Sequence, residues 1–241
     1  MSSVSSDAAV EAIVRRAEER YATDRNRVYV ATDRLFGYLM LGQWVFAILV
    51  ALTFSPYAWE GKERTVHSHV WAAVVLGGLI SSLPLALVVL RPGAVLTRHV
   101  IAAAQMLWSA LLIHLSGGRI ETHFHVFGSF GILAGYRDWT VLVTATVVVA
   151  LEHLIRGLTF PESIYGIVNP EWWRFLEHAF WVVFAGAFLA ILCRRGQRDL
   201  QVLAERTAQI EALSESEWRK ASVVERAAKE SADTPGPALA R

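Results

Sequence analysis

The sequence predicts an all-α membrane protein in which six transmembrane helices form a bundle and both termini lie in the cytoplasm. Hydrophobic residues make up 54% of the 241 residues and charged residues only 19%, whereas soluble domains carry about 25% charged residues. The apolar residues are concentrated in long runs between Leu35 and Cys193, and both ends of the chain are polar. Most Lys and Arg residues fall in the two tails and in alternate loops, which the positive-inside rule assigns to the cytoplasm.

Six apolar runs are candidates for membrane-spanning helices, because a crossing needs about 20 predominantly apolar residues. In chain order they cover residues 35–54, 69–90, 99–115, 123–136, 139–158 and 172–193. The fourth run is the shortest and contains Gly128, Gly131 and Gly135. It crosses only if residues 120–122 extend its helix and neighbouring helices pack closely around its small residues. Asp138 precedes the fifth run and is predicted to be the N-cap of that helix.

The segments on either side of the bundle are also predicted to be largely helical. The predicted domains are a cytoplasmic N-terminal helix (1–34), the transmembrane bundle (35–193), a cytoplasmic helix (194–230) and a disordered, proline-containing tail (231–241). Apolar residues recur at seven-residue spacing at Leu203, Ile210 and Val224, but Glu217 interrupts the repeat. This partial heptad is typical either of a parallel two-helix coiled coil or of a solvated amphipathic helix.

Net charge, cysteine content and the N-terminal composition indicate which partners and covalent features the chain can have. The formal net charge is +1, which gives no indication of a nucleic-acid partner, so the lipid bilayer is the partner that the composition predicts. The single Cys193 excludes a disulfide within the chain. The first 30 residues are rich in Arg and Glu and lack the apolar core of a secretory signal peptide.

The distribution of histidines predicts a metal site. With the predicted topology, every histidine except His99 falls at the outer end of a span. Ionisable groups inside a membrane are costly and usually face a partner or a cavity, and imidazole and carboxylate groups are common ligands of Zn, Fe and Cu. The predicted ligands are His114, Glu121, His123, His125, His153 and His178, with His69, Glu152 and Glu177 as further ligands or as residues that orient ligands.

Several other interpretations of these residues stay open. The cofactor could be a haem held by two histidines, or the cluster could sense pH without a metal or line a pocket for an organic ligand. Glu152 with Arg156, and Arg174 with Glu177, have the spacing of ordinary ion pairs on a helix surface. Thiolate and thioether ligands are missing from the predicted outer side, which leaves Zn, Fe, Cu(II) and Mn as candidate metals.

Four stretches of the sequence resemble a known sensor region. They read LIHLSGGRIETHFHVFGSFGILAGYRDWTVL, VVVALEHLIRG, PESIYG and WWRFLEHAFW, within residues 67–195. Together they are similar to the multi-span N-terminal input region of bacterial membrane histidine kinases and of related chemoreceptors and diguanylate cyclases. Relatives often carry a His-His or Asp-His pair in the fifth span. His153 matches the second member of that pair, and Glu152 replaces the first.

The resemblance implies a signal-input domain in the inner membrane of a bacterium, of the kind found in two-component systems. A coiled coil at 194–230 would favour a homodimer. Either the chain is a truncated receptor, or this helix is presented to a separate cytoplasmic signalling partner. No kinase or cyclase motif follows the last span, so we expect no enzymatic activity within this chain. The competing classes are a histidine-rich, metal-dependent membrane oxidoreductase, a haem-binding membrane protein and a metal transporter.

Overall fold

The computed structural model describes the backbone of residues 2–233 and the side chains of residues 7–59 and 61–229, and it is helical over most of this length. The helices are α1 (Ser2–Phe54), α2 (Ser68–Trp71), α3 (Gly77–Leu90), α4 (Val95–Leu115), α5 (Ile120–Leu133), α6 (Trp139–Thr159), α7 (Glu162–Tyr165) and α8 (Arg174–Asp233). A π-helical turn at Ala72–Leu76 joins α2 to α3, and a 3₁₀ turn at Ala134–Tyr136 follows α5. The predicted disordered tail lies outside the described residues from position 234 onward.

The long apolar helices fit the prediction of an all-α membrane protein. Within the described residues, five helical segments are long and apolar enough to cross a bilayer, namely Asp7–Phe54, Ser68–Leu90, Val95–Leu115, Trp139–Thr159 and Arg174–Lys229. They contain the first, second, third, fifth and sixth predicted spans, apart from the first two residues of the sixth. The fourth corresponds to α5, whose 14 residues extend about 21 Å, less than the roughly 30 Å of a bilayer core. The number of crossings and the side on which the termini lie therefore stay predictions.

A short β-hairpin departs from the predicted all-α fold. Strand β1 (Tyr57–Glu60) pairs antiparallel with β2 (Glu63–Val66), and Gly61 takes up the left-handed conformation in the turn (φ 62°). The Arg64 guanidinium lies over the Tyr57 ring at 4.2 Å. Strands of four residues provide too few alternating positions for a periodicity argument, so the sequence did not indicate them.

The described part of the chain divides into two compact units, residues 2–24 with 198–233 and residues 25–197. In the second unit α4 is the central helix, with more than half of its side chains buried. Trp108 on this helix is completely buried and donates from Nε1 to Ser81 Oγ at 3.1 Å. Gly77 makes this packing possible, because a Cβ there would lie 2.7 Å from Trp44 Cδ1 and 2.8 Å from Trp108.

Buried polar contacts tie the turn between α5 and α6 to other helices of this unit. Tyr136 Oη donates to Asp33 Oδ1 at 2.7 Å, and Arg98 Nε donates to Asp138 Oδ2 at 2.8 Å. Asp138 also accepts from the backbone N–H of Thr140, which confirms the predicted N-cap of α6. Helix α4 begins at Val95, four residues before the predicted span at residue 99, and it therefore contains the buried Arg98.

In the first unit the N-terminal part of α1 contacts the C-terminal part of α8. Arg16 donates from both terminal nitrogens to the Glu215 carboxylate, at 2.8 and 3.3 Å, and Arg20 pairs with Glu211. The small residues Ala17, Ala204 and Ala208 are buried in this unit. The heptad residues Leu203, Ile210 and Val224 are exposed, so the coiled coil stays a prediction.

Candidate functional site

Three histidines from three helices meet in the second unit. His123 is on α5, His153 on α6 and His178 near the start of α8. The ring centroids are 5.8 Å apart for His123 and His153, 5.5 Å for His123 and His178, and 6.1 Å for His153 and His178. All three were predicted ligands, and the fold brings them together although they are far apart along the chain.

Backbone carbonyls fix the same ring nitrogen in each of these histidines. Nδ1 lies 3.0 Å from Arg119 O in His123, 3.1 Å from Val149 O in His153 and 2.9 Å from Arg174 O in His178. A carbonyl oxygen can only accept, so Nδ1 must carry the hydrogen in all three rings. In the neutral imidazole this leaves a lone pair on each Nε2. The Nε2 of His123 is buried and has no hydrogen-bond partner among the described residues.

Glu152 is a neighbour of this group. Its Oε2 lies 2.7 Å from His153 Nδ1, and its other carboxylate oxygen accepts from Arg156. Arg156 in turn donates to the side chain and the carbonyl of Ser163 and to Ala110 O. Glu152 therefore forms an ion pair with Arg156. Its Oε2 is buried and makes no hydrogen bond among the described residues, so it acts on His153 through its negative charge beside Nδ1.

A cavity of about 660 Å³ lies beside the three histidines, which form part of its wall. Arg174, Glu177 and Thr146 add polar groups to the lining, and the other lining residues are apolar. Tyr165 on α7 packs against His178 with ring centroids 5.4 Å apart. Burial raises the pKa of Tyr165, so its hydroxyl stays protonated at neutral pH.

Two of the residues predicted as ligands or as residues that orient ligands, His69 and His114, form a separate group together with His67. His69 and His114 have ring centroids 5.0 Å apart, and His67 lies 4.4 Å from His69. His67 Nδ1 accepts from the backbone N–H of His69 and so caps α2. Phe160 packs on the His114 ring at 6.1 Å.

The remaining predicted ligands stand apart from both groups. His125 lies on the other side of α5, because residues two apart on a helix are rotated by about 200°. Its two ring nitrogens each lie 2.8 Å from a polar partner, Gln43 Nε2 and Ser109 Oγ. Glu121 and Glu177 are exposed, and only Glu177 lines the cavity. Among the described residues, no group of three or more His, Cys, Asp or Glu side chains is arranged as a metal site.

Sequence reasoning missed the loop that brings Tyr165 to His178. The loop around residues 117–118 approaches the end of α7 closely, since a Cβ on Gly118 would lie 2.4 Å from the backbone nitrogen of Gly166. Both glycines have positive φ, 75° and 66°. Gly118 in the segment SGGR and Gly166 in the segment IYGI were the available signal for this contact, because only glycine permits that backbone conformation and so close an approach.

One comparison with known proteins gives a partial match. Over 86 residues the chain is 36% identical to the transducer protein Htr8 of Halobacterium salinarum. The match covers 34% of this chain and 13% of the transducer, so the chain spans only a small part of that relative's length. No family model and no solved structure matches the chain.

Proposed function

We propose that the chain is a membrane signal-input domain whose histidine centre, formed by His123, His153 and His178, binds a transition metal. The metal would be Zn, Fe or Cu. The similarity to a transducer protein and the long apolar helices support the signalling role and the membrane location. The observation that supports the metal most strongly is that all three Nδ1 atoms are held by carbonyls, which leaves an Nε2 lone pair on each of three neighbouring rings.

The hydrogen-bonding pattern around the rings is the one that metal sites require. Histidines that bind metals through one nitrogen almost always donate from the other to a carbonyl, a carboxylate or water. Here Arg119, Val149 and Arg174 supply the carbonyls, and Glu152 supplies a carboxylate next to His153. Three histidines leave at least one coordination position for a further ligand, as in catalytic and ligand-binding centres.

Helix α8 is the proposed output element. It carries His178 and continues as one helix to Asp233. A ligand that binds one arrangement of α5, α6 and α8 more tightly than another shifts the population toward that arrangement. A shift from 1:99 to 99:1 requires about 5.5 kcal/mol of differential binding.

The exposed apolar residues of α8 favour a binding partner in the cytoplasm. Leu203, Ile210 and Leu213 expose more than half of their surface in a segment predicted to lie in the cytoplasm. Apolar residues at this spacing favour a homodimer through the helix at 194–230 or a signalling partner that binds the same face. We propose that the domain lies in the inner (cytoplasmic) membrane of a bacterial cell.

Metal content tests the proposed centre. Purified protein should contain about one transition metal ion per chain, and His123→Ala or His178→Ala should remove most of it. His99→Ala is the matched control, because His99, near the start of α4, bonds to Thr144 of α6 and lies outside the histidine group, so the change should leave the metal content unchanged. An absorption spectrum separates a haem, which has a Soret band, from a non-haem metal. Wild-type protein without metal, or a His178→Ala variant with full metal content, would contradict the proposal.

A further inference from the structure

One end of the second unit carries arginines that have no acidic partner. It is the end opposite the three histidines, and the predicted topology places it at the cytoplasmic face of the membrane. Four of these arginines are exposed and the one in the turn between α5 and α6 is half-buried. No carboxylate among the described residues lies within ion-pair distance of any of them. This arginine rim consists of Arg34, Arg91, Arg137, Arg194 and Arg195.

Backbone and side-chain contacts bring the first half of the arginine rim together. The N–H of Gly93, two residues after Arg91, donates to Asp33 Oδ2 at 2.6 Å. Asp33 precedes Arg34 on α1 and also accepts from Tyr136 Oη in the turn between α5 and α6, at 2.7 Å. The loop after α3, this part of α1 and that turn are therefore neighbours.

The same turn also lies beside the rim residues of α8. Arg137 donates to Gly196 O at 3.4 Å, and the guanidinium carbon of Arg194 lies 4.8 Å from the centroid of the Trp139 ring. Arg195 follows directly on α8. All five arginines thus belong to one end of the unit and come from four different segments of the chain.

The carboxylates described at this end do not neutralise the arginine rim. Asp33 and Asp138 are buried, and Asp138 is bonded to Arg98. The other end of the unit is different, because there Arg174 pairs with Glu171. Further exposed carboxylates at that end are Glu63, Glu121, Glu162 and Glu177. An excess of exposed positive charge is therefore found at the arginine rim.

Exposed apolar side chains adjoin the arginine rim on the side of the long helices. Leu35, Leu90 and Leu192 are each more than half exposed and lie within two residues of a rim arginine. Tyr38, one helical turn after Arg34, is 76% exposed. Tyr and Trp are enriched where a membrane meets water, so Tyr38 and Trp139 indicate that the arginines lie at the depth of the lipid headgroups.

We infer that the arginine rim binds the headgroups of anionic phospholipids, whose acyl chains lie along the adjoining apolar residues. This goes beyond the proposed function and does not depend on the histidine centre. A guanidinium donates two parallel hydrogen bonds to phosphate oxygens. Each basic residue near an anionic membrane surface contributes about a fivefold preference for that surface. A zwitterionic lipid gives no such preference, because its own cationic group cancels the phosphate charge.

Native mass spectrometry of the full-length protein in detergent tests this inference. The protein is mixed with equal amounts of phosphatidylglycerol and phosphatidylcholine that have the same acyl chains. Bound phosphatidylglycerol should exceed bound phosphatidylcholine at least about tenfold, and Arg91→Gln with Arg194→Gln should lower that ratio about tenfold or more. Arg64→Gln with Arg119→Gln is the matched control, because both arginines are exposed at the other end of the unit, and it should leave the ratio unchanged.

A second pair of variants separates loss of charge from a disturbed fold. Arg91→Lys with Arg194→Lys keeps both charges and should retain most of the preference, so a ratio as low as that of the glutamine pair overturns the inference. Equal binding of the two lipids by the wild type overturns it, as does an equal loss in the control pair. Release of phosphatidylglycerol by excess inorganic phosphate would reveal a site for the free ion and would also overturn it.

Discussion

Backbone carbonyls determine both the ring orientation and the nitrogen that carries the hydrogen in three of the histidines. His123, His153 and His178 each bond through Nδ1 to the carbonyl four residues earlier. That contact holds the ring along its own helix and directs Nε2 away from it. His125 lacks such a contact, and its nitrogens are occupied by Gln43 and Ser109 instead. His125 is therefore held by polar side chains on both sides, whereas His123, His153 and His178 are each held by a backbone carbonyl.

Glu152→Gln tests the role of the carboxylate beside His153. Loss of the negative charge should lower zinc affinity by about 10–100-fold, the usual effect of changing a group that orients a ligand. A competitive zinc titration measures this. Glu121→Gln is the control, because Glu121 is exposed and lies outside the histidine group. Equal affinity of the two variants would show that Glu152 serves only its ion pair with Arg156.

At the scale of elements, the turn between α5 and α6 contacts three helices. Tyr136 bonds to Asp33 on α1, Asp138 to Arg98 on α4, and Arg137 to Gly196 on α8. Arg137 has a left-handed backbone (φ 54°), which is uncommon for a residue with a side chain. The turn therefore connects the helices that carry His123 and His153 with α8 at a second place.

Arg98→Met should destabilise the bundle strongly. Arg98 and Asp138 are both buried, and removing one partner of a buried ion pair typically costs about 3–5 kcal/mol. The free energy of unfolding in a detergent titration measures the effect. Arg91→Met replaces an exposed arginine at the end of α3 and should change stability by less than about 0.5 kcal/mol. Similar values for the two variants would mean that the buried pair is not important for stability.

The contact between α1 and α8 in the first unit depends on charge. Arg16 lowers the pKa of Glu215, so the pair is ionised at neutral pH. Its contribution is present above the ordinary pKa of a glutamate and is lost as the pH falls through the lowered value. Arg16→Glu should increase hydrogen exchange in residues 9–20, and adding Glu215→Arg should reverse that increase. An unchanged exchange rate in Arg16→Glu would contradict the contact.

At the scale of the whole molecule, hydropathy predicted the long helices well because burial in a bilayer demands continuous apolar runs. The second predicted span, 69–90, matches Ser68–Leu90 to within one residue at its start, and the fifth, 139–158, matches Trp139–Thr159 to within one residue at its end. The site was predicted only in part. Which face of a helix a histidine occupies depends on packing, so the sequence could group His123, His153 and His178 but could not separate His125 or the His69–His114 pair from them.

The most direct test of the account is an X-ray absorption spectrum of metal-loaded protein. If His123, His153 and His178 hold the metal, a zinc spectrum should show about three imidazole nitrogens at roughly 2.0–2.1 Å, and His178→Ala should remove one of them. A spectrum without imidazole scattering, or one that is identical in wild type and in a variant lacking all three histidines, would contradict the account.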